Sequence, residues 1–137
     1  VGTTLWSKII NPEYEINDTV CIKGLNISKY NNMNVESTDF LNEFMKTHCE
    51  LNSIIIITHH VPSEKLIHSK YKIKGHHNYN QWFYCNMDEF IKQHSSKIKC
   101  WIYGHTHMAS NICISDIPFL CNPSENSKPK FYEFIDI

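Results

Sequence analysis

Four consecutive isoleucines, Ile54–Ile57, followed by Thr58-His59-His60-Val61-Pro62, constrain this chain more than any other feature. β-Branched side chains crowd a helix and pack well on a pleated surface. A run without polar alternation offers no face to water, so it fits a strand buried on both faces, as in a parallel sheet under helices. A second apolar run, Cys100–Tyr103, leads into Gly104-His105-Thr106-His107. Between the two runs, Met87, Phe90, Ile91 and His94 share one helical face over about 87–94, and Asn86 with Glu89 supplies an N-terminal cap. Upstream, Phe40, Leu41, Phe44, Met45 and His48 repeat at helical spacing. They predict a helix over 37–49, started by Ser37 or Thr38.

The remaining segments read less sharply. Thr3–Trp6 predicts a short strand, Thr19–Lys23 a weaker one, and Asn31, Asn32 and Asn34 a loop. The end of the chain reads as an antiparallel β-meander over 111–115, 118–121 and 131–135, with Ser115-Asp116 turning between the first two strands. Strand–helix–strand alternation closed by such a meander is an α/β pattern, and the 53–58 and 100–103 strands are expected as parallel neighbours.

At 137 residues the chain has the size of one domain. A net charge of −1 gives no electrostatic footprint for nucleic acid or a membrane surface. No apolar stretch has the length of a membrane span and the first residues lack a signal-peptide pattern, so a cytoplasmic setting is expected. The six cysteines include no C-x-x-C pair, which argues against a zinc ribbon. Cys100 and Cys113 sit inside apolar stretches, so reduced, buried thiols are expected. Trp6, Trp82 and Trp101 read as core residues.

Both apolar strands end in histidine. In open α/β sheets, ligands collect beyond the carboxyl ends of the strands. His105 and His107, two residues apart, point to one side of an extended backbone, and Gly104 gives the chain freedom to turn there. Neutral imidazole is the commonest protein ligand for Zn, Mn or Fe. Gly75-His76-His77-Asn78-Tyr79 has no apolar strand before it. Together with His68 and Trp82 it reads better as a substrate-facing loop than as a second metal site.

Gly104-His105-Thr106-His107 resembles the G-H-x-H motif of the calcineurin-like metallophosphoesterases. Thr58-His59-His60-Val61-Pro62 is similar to the family motif upstream of it. Gly2-Thr3-Thr4-Leu5-Trp6-Ser7 and Cys121-Asn122-Pro123 resemble strands flanking these motifs, so the likeness spans nearly the whole chain. It implies the C-terminal half of a four-layer α-β-β-α sandwich and a two-metal centre that hydrolyses a phosphate ester. It further implies that His59 and His105 bind one divalent ion (Mn, Fe or Zn) and His107 the other. His60 is not needed as a ligand; the open readings are a contact to substrate, a group that orients a neighbour, and a plain loop residue behind the ligands.

The chain also departs from that family. Its first-half motifs, D-x-H, G-D and G-N-H-[DE], are absent here. With the Val1 start, the expectation is that residues 1–137 form a partial domain whose partner is a missing N-terminal half carrying the other ligands. Alone, such a fragment is expected to be inactive and to leave one face of its sheet apolar and exposed. Two alternatives remain at this stage: a self-contained three-His zinc hydrolase, and a degenerate phosphoesterase serving as a binding module.

Overall fold

The isoleucine run and the run through Cys100 form adjacent parallel strands, and the rest of the fold follows from what connects them. The structure, a computed structural model, describes residues 1–11, 17–72, 77–125 and 128–129. Along the chain these form β1 (Gly2–Thr3), α1 (Asn17–Cys21), α2 (Ile27–Thr47), β2 (Ile54–Thr58), α3 (His77–Asn80), α4 (Asp88–His94), β3 (Ile98–Ile102), β4 (Ser110–Ile114) and β5 (Ile117–Cys121). A short hairpin of β6 (Ser124–Glu125) and β7 (Lys128–Pro129) comes last.

The main sheet has five strands in the order β1-β2-β3-β5-β4. All neighbours are parallel except β4, which pairs antiparallel with β5 at one edge. The sheet is therefore mixed, within an α/β fold. The steps β1 to β2 and β2 to β3 move the same way across the sheet. Crossovers of one hand then place α2 and α4 on the same face. Their Leu41, Met45, Phe90 and Ile91 pack with Ile54, Ile56, Trp101 and Phe119 in one core. The opposite face carries Ile57 and Ile102, which are in register. They are 53% and 36% exposed, an apolar pair turned toward water.

Several sequence expectations change. The expected strand over 19–23 is not formed: Asn17–Cys21 is a short helix with no buried residue, closed by the Ile22 amide donating to the Asp18 carbonyl at 2.9 Å. β propensity needs a neighbouring strand to be realised, and among the described residues none pairs with it. The expected loop at Asn31, Asn32 and Asn34 lies inside α2. That helix begins ten residues before Ser37 and is capped by Asn26, whose side chain accepts from the Lys29 amide, rather than by Ser37 or Thr38. Tertiary contacts override the poor helix propensity of asparagine. Asn31 exchanges hydrogen bonds with the Ile9 amide and carbonyl at 2.8 and 2.9 Å, and Asn34 donates to the Trp6 carbonyl. The helix thus holds the Trp6–Ile9 segment by amide pairs that imitate a strand edge.

The buried stripe of α2 is Tyr30, Asn34, Ser37, Leu41 and Met45, while Phe40 is exposed. α4 falls where expected, although Met87 occupies its cap without a side-chain bond and Asn86 accepts only from the Asp88 amide, at 3.2 Å. The turn at Ser115-Asp116 is present, both residues having positive φ. The third meander strand, 131–135, lies outside the described residues. All six cysteines are free: Cys85, Cys100 and Cys121 are buried, whereas Cys113, expected inside, is exposed on the edge strand with Cys21 and Cys49 also exposed. Trp101 is fully buried, while Trp6 and Trp82 are half-buried beside a smaller cluster around Tyr30 and Ile9. Among the described residues no helix is long and apolar enough to cross a membrane.

Candidate functional site

The carboxyl ends of β2 and β3 lie side by side, and each releases its histidines there. Thr58, the last residue of β2, fixes this corner. Its hydroxyl accepts from the Trp101 indole at 3.0 Å and donates to the His60 carbonyl at 2.9 Å. The Gly104 amide donates to the His59 carbonyl at 3.0 Å, which ties the two strand ends together.

Freedom to turn was expected of Gly104, but the turn is made at His105. A side chain at 104 would meet His59 at 3.5 Å, ordinary contact, whereas His105 has φ of 63°. The Thr106 amide donates to the Gly104 carbonyl at 2.7 Å, a three-residue turn centred on His105. With positive φ at its centre this is the rarer, strained hand of the γ-turn. Strained backbone of this kind concentrates at functional sites.

The turn brings His105 Nδ1 to 3.0 Å from His59 Nε2. Two nitrogens held by one ion at about 2.0–2.1 Å, at angles between octahedral and tetrahedral, sit roughly 2.9–3.4 Å apart. The pair therefore fits two ligands of one ion, and it also fits a hydrogen bond between two neutral rings. His107 lines the same cavity, of about 540 Å³, together with Tyr71, Phe83, Gly104, Thr106, Pro123 and Ser124. The cavity brings the three histidines to one place without closing them into a ligand set. Among the described residues no group of three or more His, Cys, Asp or Glu side chains could hold an ion.

His60 points away from the cavity and is 1% exposed. Its Nδ1 faces the Thr4 carbonyl at 3.3 Å. A carbonyl can only accept, so Nδ1 carries the proton and Nε2 faces the Tyr30 hydroxyl, also at 3.3 Å. Tyr30 in turn lies 2.9 Å from the Ser7 hydroxyl, which donates to the Trp82 carbonyl. The His60 ring stacks on His105, centroids 4.3 Å apart. This placement puts His60 behind the His105 ring and off the cavity wall.

Burial pushes the His60 pKa down to about 3, with the nearby His105 acting the same way. Burial likewise lowers His105 to about 4, helped by His59 and opposed by a backbone hydrogen bond to Trp82. Both rings are thus neutral at neutral pH, the form in which imidazole ligates metal.

His68 and Trp82 do not line the histidine cavity. His68 accepts from the Lys70 amide through Nδ1 at 3.2 Å, capping a single 3-10 turn over Ser69–Tyr71. His76 lies outside the described residues, and His77 begins α3. Trp82 lines a neighbouring cavity with Tyr71, Tyr79, Asn80 and Phe83. Sequence reasoning missed Tyr71 and Phe83 as walls of the histidine cavity. The available signal was aromatic density: Tyr79, Trp82, Phe83 and Tyr84 fall within six residues.

No family profile and no solved structure matches the chain. It is similar, at 28% identity over 158 aligned positions, to the uncharacterized protein L509 of Acanthamoeba polyphaga mimivirus. The match covers all of this chain and 55% of the mimivirus protein, so the chain spans about half the length of that relative.

Proposed function

We infer that this chain supplies the histidine half of a two-metal phosphoesterase site of the calcineurin-like kind. The observation that carries the reading is the His59 Nε2 to His105 Nδ1 separation of 3.0 Å at the ends of adjacent parallel strands. His107 shares their cavity. In this reading His59 and His105 hold one divalent ion and His107 contributes to a second. The ions, when bound, neutralise the phosphate and activate the attacking water. The chain's own residues then have distinct tasks. His60, locked by Thr4 and Tyr30, backs the His105 ring; Thr58 fixes the His59–His60 turn; the cavity admits the phosphate.

Among the described residues the cavity lining includes no carboxylate, and imidazoles alone leave two divalent ions without charge balance. In this reading the remaining ligands come from a missing N-terminal half that carries the D-x-H, G-D and G-N-H-[DE] motifs. The length of the mimivirus relative beyond its match leaves room for such a segment. The same reading makes the Ile57–Ile102 face the packing surface for a second sheet, as a four-layer sandwich requires. A self-contained zinc hydrolase would need a general base near its ion, and among the described residues no lining side chain offers a carboxylate for that.

Calorimetric titration of the chain with Mn and Zn tests the ligand assignment. Weak binding is expected, lost in His59→Ala and His105→Ala and retained in His68→Ala. Equal binding by the wild type and a variant lacking His59, His105 and His107 would refute it.

A further inference from the structure

The cavity that holds the histidines shares two walls with an aromatic shelf. Tyr71 and Phe83 wall both that cavity and a second one of about 340 Å³, whose other walls are Tyr79, Asn80 and Trp82. The Phe83 ring centroid lies 5.3 Å from that of His105 and 6.2 Å from that of Tyr71, to which it is nearly parallel. Tyr79 meets Trp82 edge-on at 5.1 Å. Lys70 sets a cation 4.6 Å from the Tyr71 centroid at the rim. All four aromatic residues are half-buried, whereas Trp101 and Phe119 stack in the core out of reach of water.

The shelf is anchored. The Val61 amide donates to the Phe83 carbonyl at 3.0 Å and the Cys85 amide to the Val61 carbonyl at 2.9 Å, so the residues after His60 carry Phe83 beside the site. The Asn80 side chain donates to the Tyr71 carbonyl at 3.2 Å, joining the two sides of the second cavity.

We propose that Tyr71, Tyr79, Trp82 and Phe83 form a subsite for a planar aromatic ring borne by the leaving group of the phosphate ester. The spacing carries the inference. A phosphate held at His59 and His105 would sit in the cavity that Phe83 walls, 5.3 Å from His105 between ring centroids, and Phe83 and Tyr71 also wall the aromatic cavity. Planar rings stack favourably on such faces, whereas a short alkyl group covers little of them. An aryl phosphate and a nucleotide present the same chemistry. They differ in whether a sugar separates ring from phosphorus.

This inference rests on the phosphoesterase reading, and the experiment separates the two. The chain, loaded with Mn or Zn, is titrated with phenyl phosphate, adenosine monophosphate, ribose 5-phosphate, methyl phosphate and inorganic phosphate. Binding is followed by calorimetry and by the Trp82 indole NMR resonance. Phenyl phosphate is expected to bind roughly tenfold more tightly than methyl phosphate, the scale of one ring-stacking contact. That advantage should fall to about twofold in Tyr71→Leu and Phe83→Leu while inorganic phosphate binds as before. Adenosine monophosphate outbinding ribose 5-phosphate by a similar factor would identify a nucleotide as the source of the ring; equality of that pair would identify an aryl ester.

If either leucine variant fails to fold, Tyr79→Ser and saturation transfer from protein to the phenyl protons of the ligand give the same readout. Metal binding intact with phenyl and methyl phosphate equal would overturn the subsite and leave the phosphoesterase reading standing. Absence of metal binding, with phenol or adenosine still shifting the Trp82 resonance saturably, would support the ring site and remove the phosphoesterase reading. No response to any ring-bearing ligand overturns the subsite outright.

Discussion

Replacing His60 by glutamine should flatten the acid side of the stability curve. In the native chain His60 titrates near 3, against an ordinary histidine value near 6.5 in the unfolded chain. Between those values the unfolded state binds a proton that the folded state does not. Stability is therefore fully present above about pH 6.5 and is lost as pH falls toward about 3. Linkage puts the slope near 1.4 kcal/mol per pH unit inside the window, with about 2 kcal/mol already lost at pH 5. His105, lowered to about 4, adds a term of the same sign, reduced because its ring is less buried. Asp88, held below its usual range by hydrogen bonds to Lys65 and Ser63 despite its partial burial, destabilises only at lower pH. The Asp88 term is common to wild type and variant, so the difference between their curves reads His60 together with its coupling to His105. The assay is urea unfolding of the metal-free chain, followed by Trp101 fluorescence and far-UV circular dichroism, at half-unit steps from pH 7.5 to 4. Parallel curves for wild type and His60→Gln would show that His60 is not buried neutral, and the orientation role argued for it would go with that result.

Thr58→Val removes the acceptor for the buried Trp101 indole and should cost about 1–3 kcal/mol in urea unfolding, with Thr58→Ser restoring most of it. Asn26→Ala removes the α2 cap and should lower stability by about 1 kcal/mol, read as a fall in the thermal midpoint by circular dichroism. In a longer protein that carries this chain and hydrolyses an aryl phosphate ester, His59→Ala and His107→Ala should each lower chelator-sensitive turnover by orders of magnitude, while His76→Ala should have a smaller effect. Strong chelator-sensitive hydrolysis by residues 1–137 alone would instead point to a self-sufficient zinc hydrolase.

The parts of the fold that could be read in advance are those whose cause is local. Ile54–Ile57 forms the expected strand β2 beside β3, but it is not buried on both faces: Ile57 is half exposed. Ser115-Asp116 turns because short polar side chains tolerate positive φ. The first half of α2 was illegible because its cause is distant. Asn31 and Asn34 depress helix propensity locally and recover the loss through Ile9 and Trp6, more than twenty residues away. The pairing of His59 with His105 was legible as two strand ends. Which residue would carry the turn was not, since glycine is the ordinary choice and the chain uses the histidine after it. The aromatic shelf has no period to detect. It arises because the segment after His60 pairs with the one after Trp82, a contact that nothing in either segment announces.

The positive φ of His105 sets two requirements against each other at a single position. Holding a side-chain-bearing residue in the left-handed region costs about 1–2 kcal/mol, a cost glycine does not carry. A library of all residues at 105, sorted only for resistance to unfolding, should therefore enrich glycine. The same library sorted for metal capture should return histidine. The divergence of the two sorted pools would measure, in one experiment, how much folding stability this corner gives up to keep an imidazole beside His59.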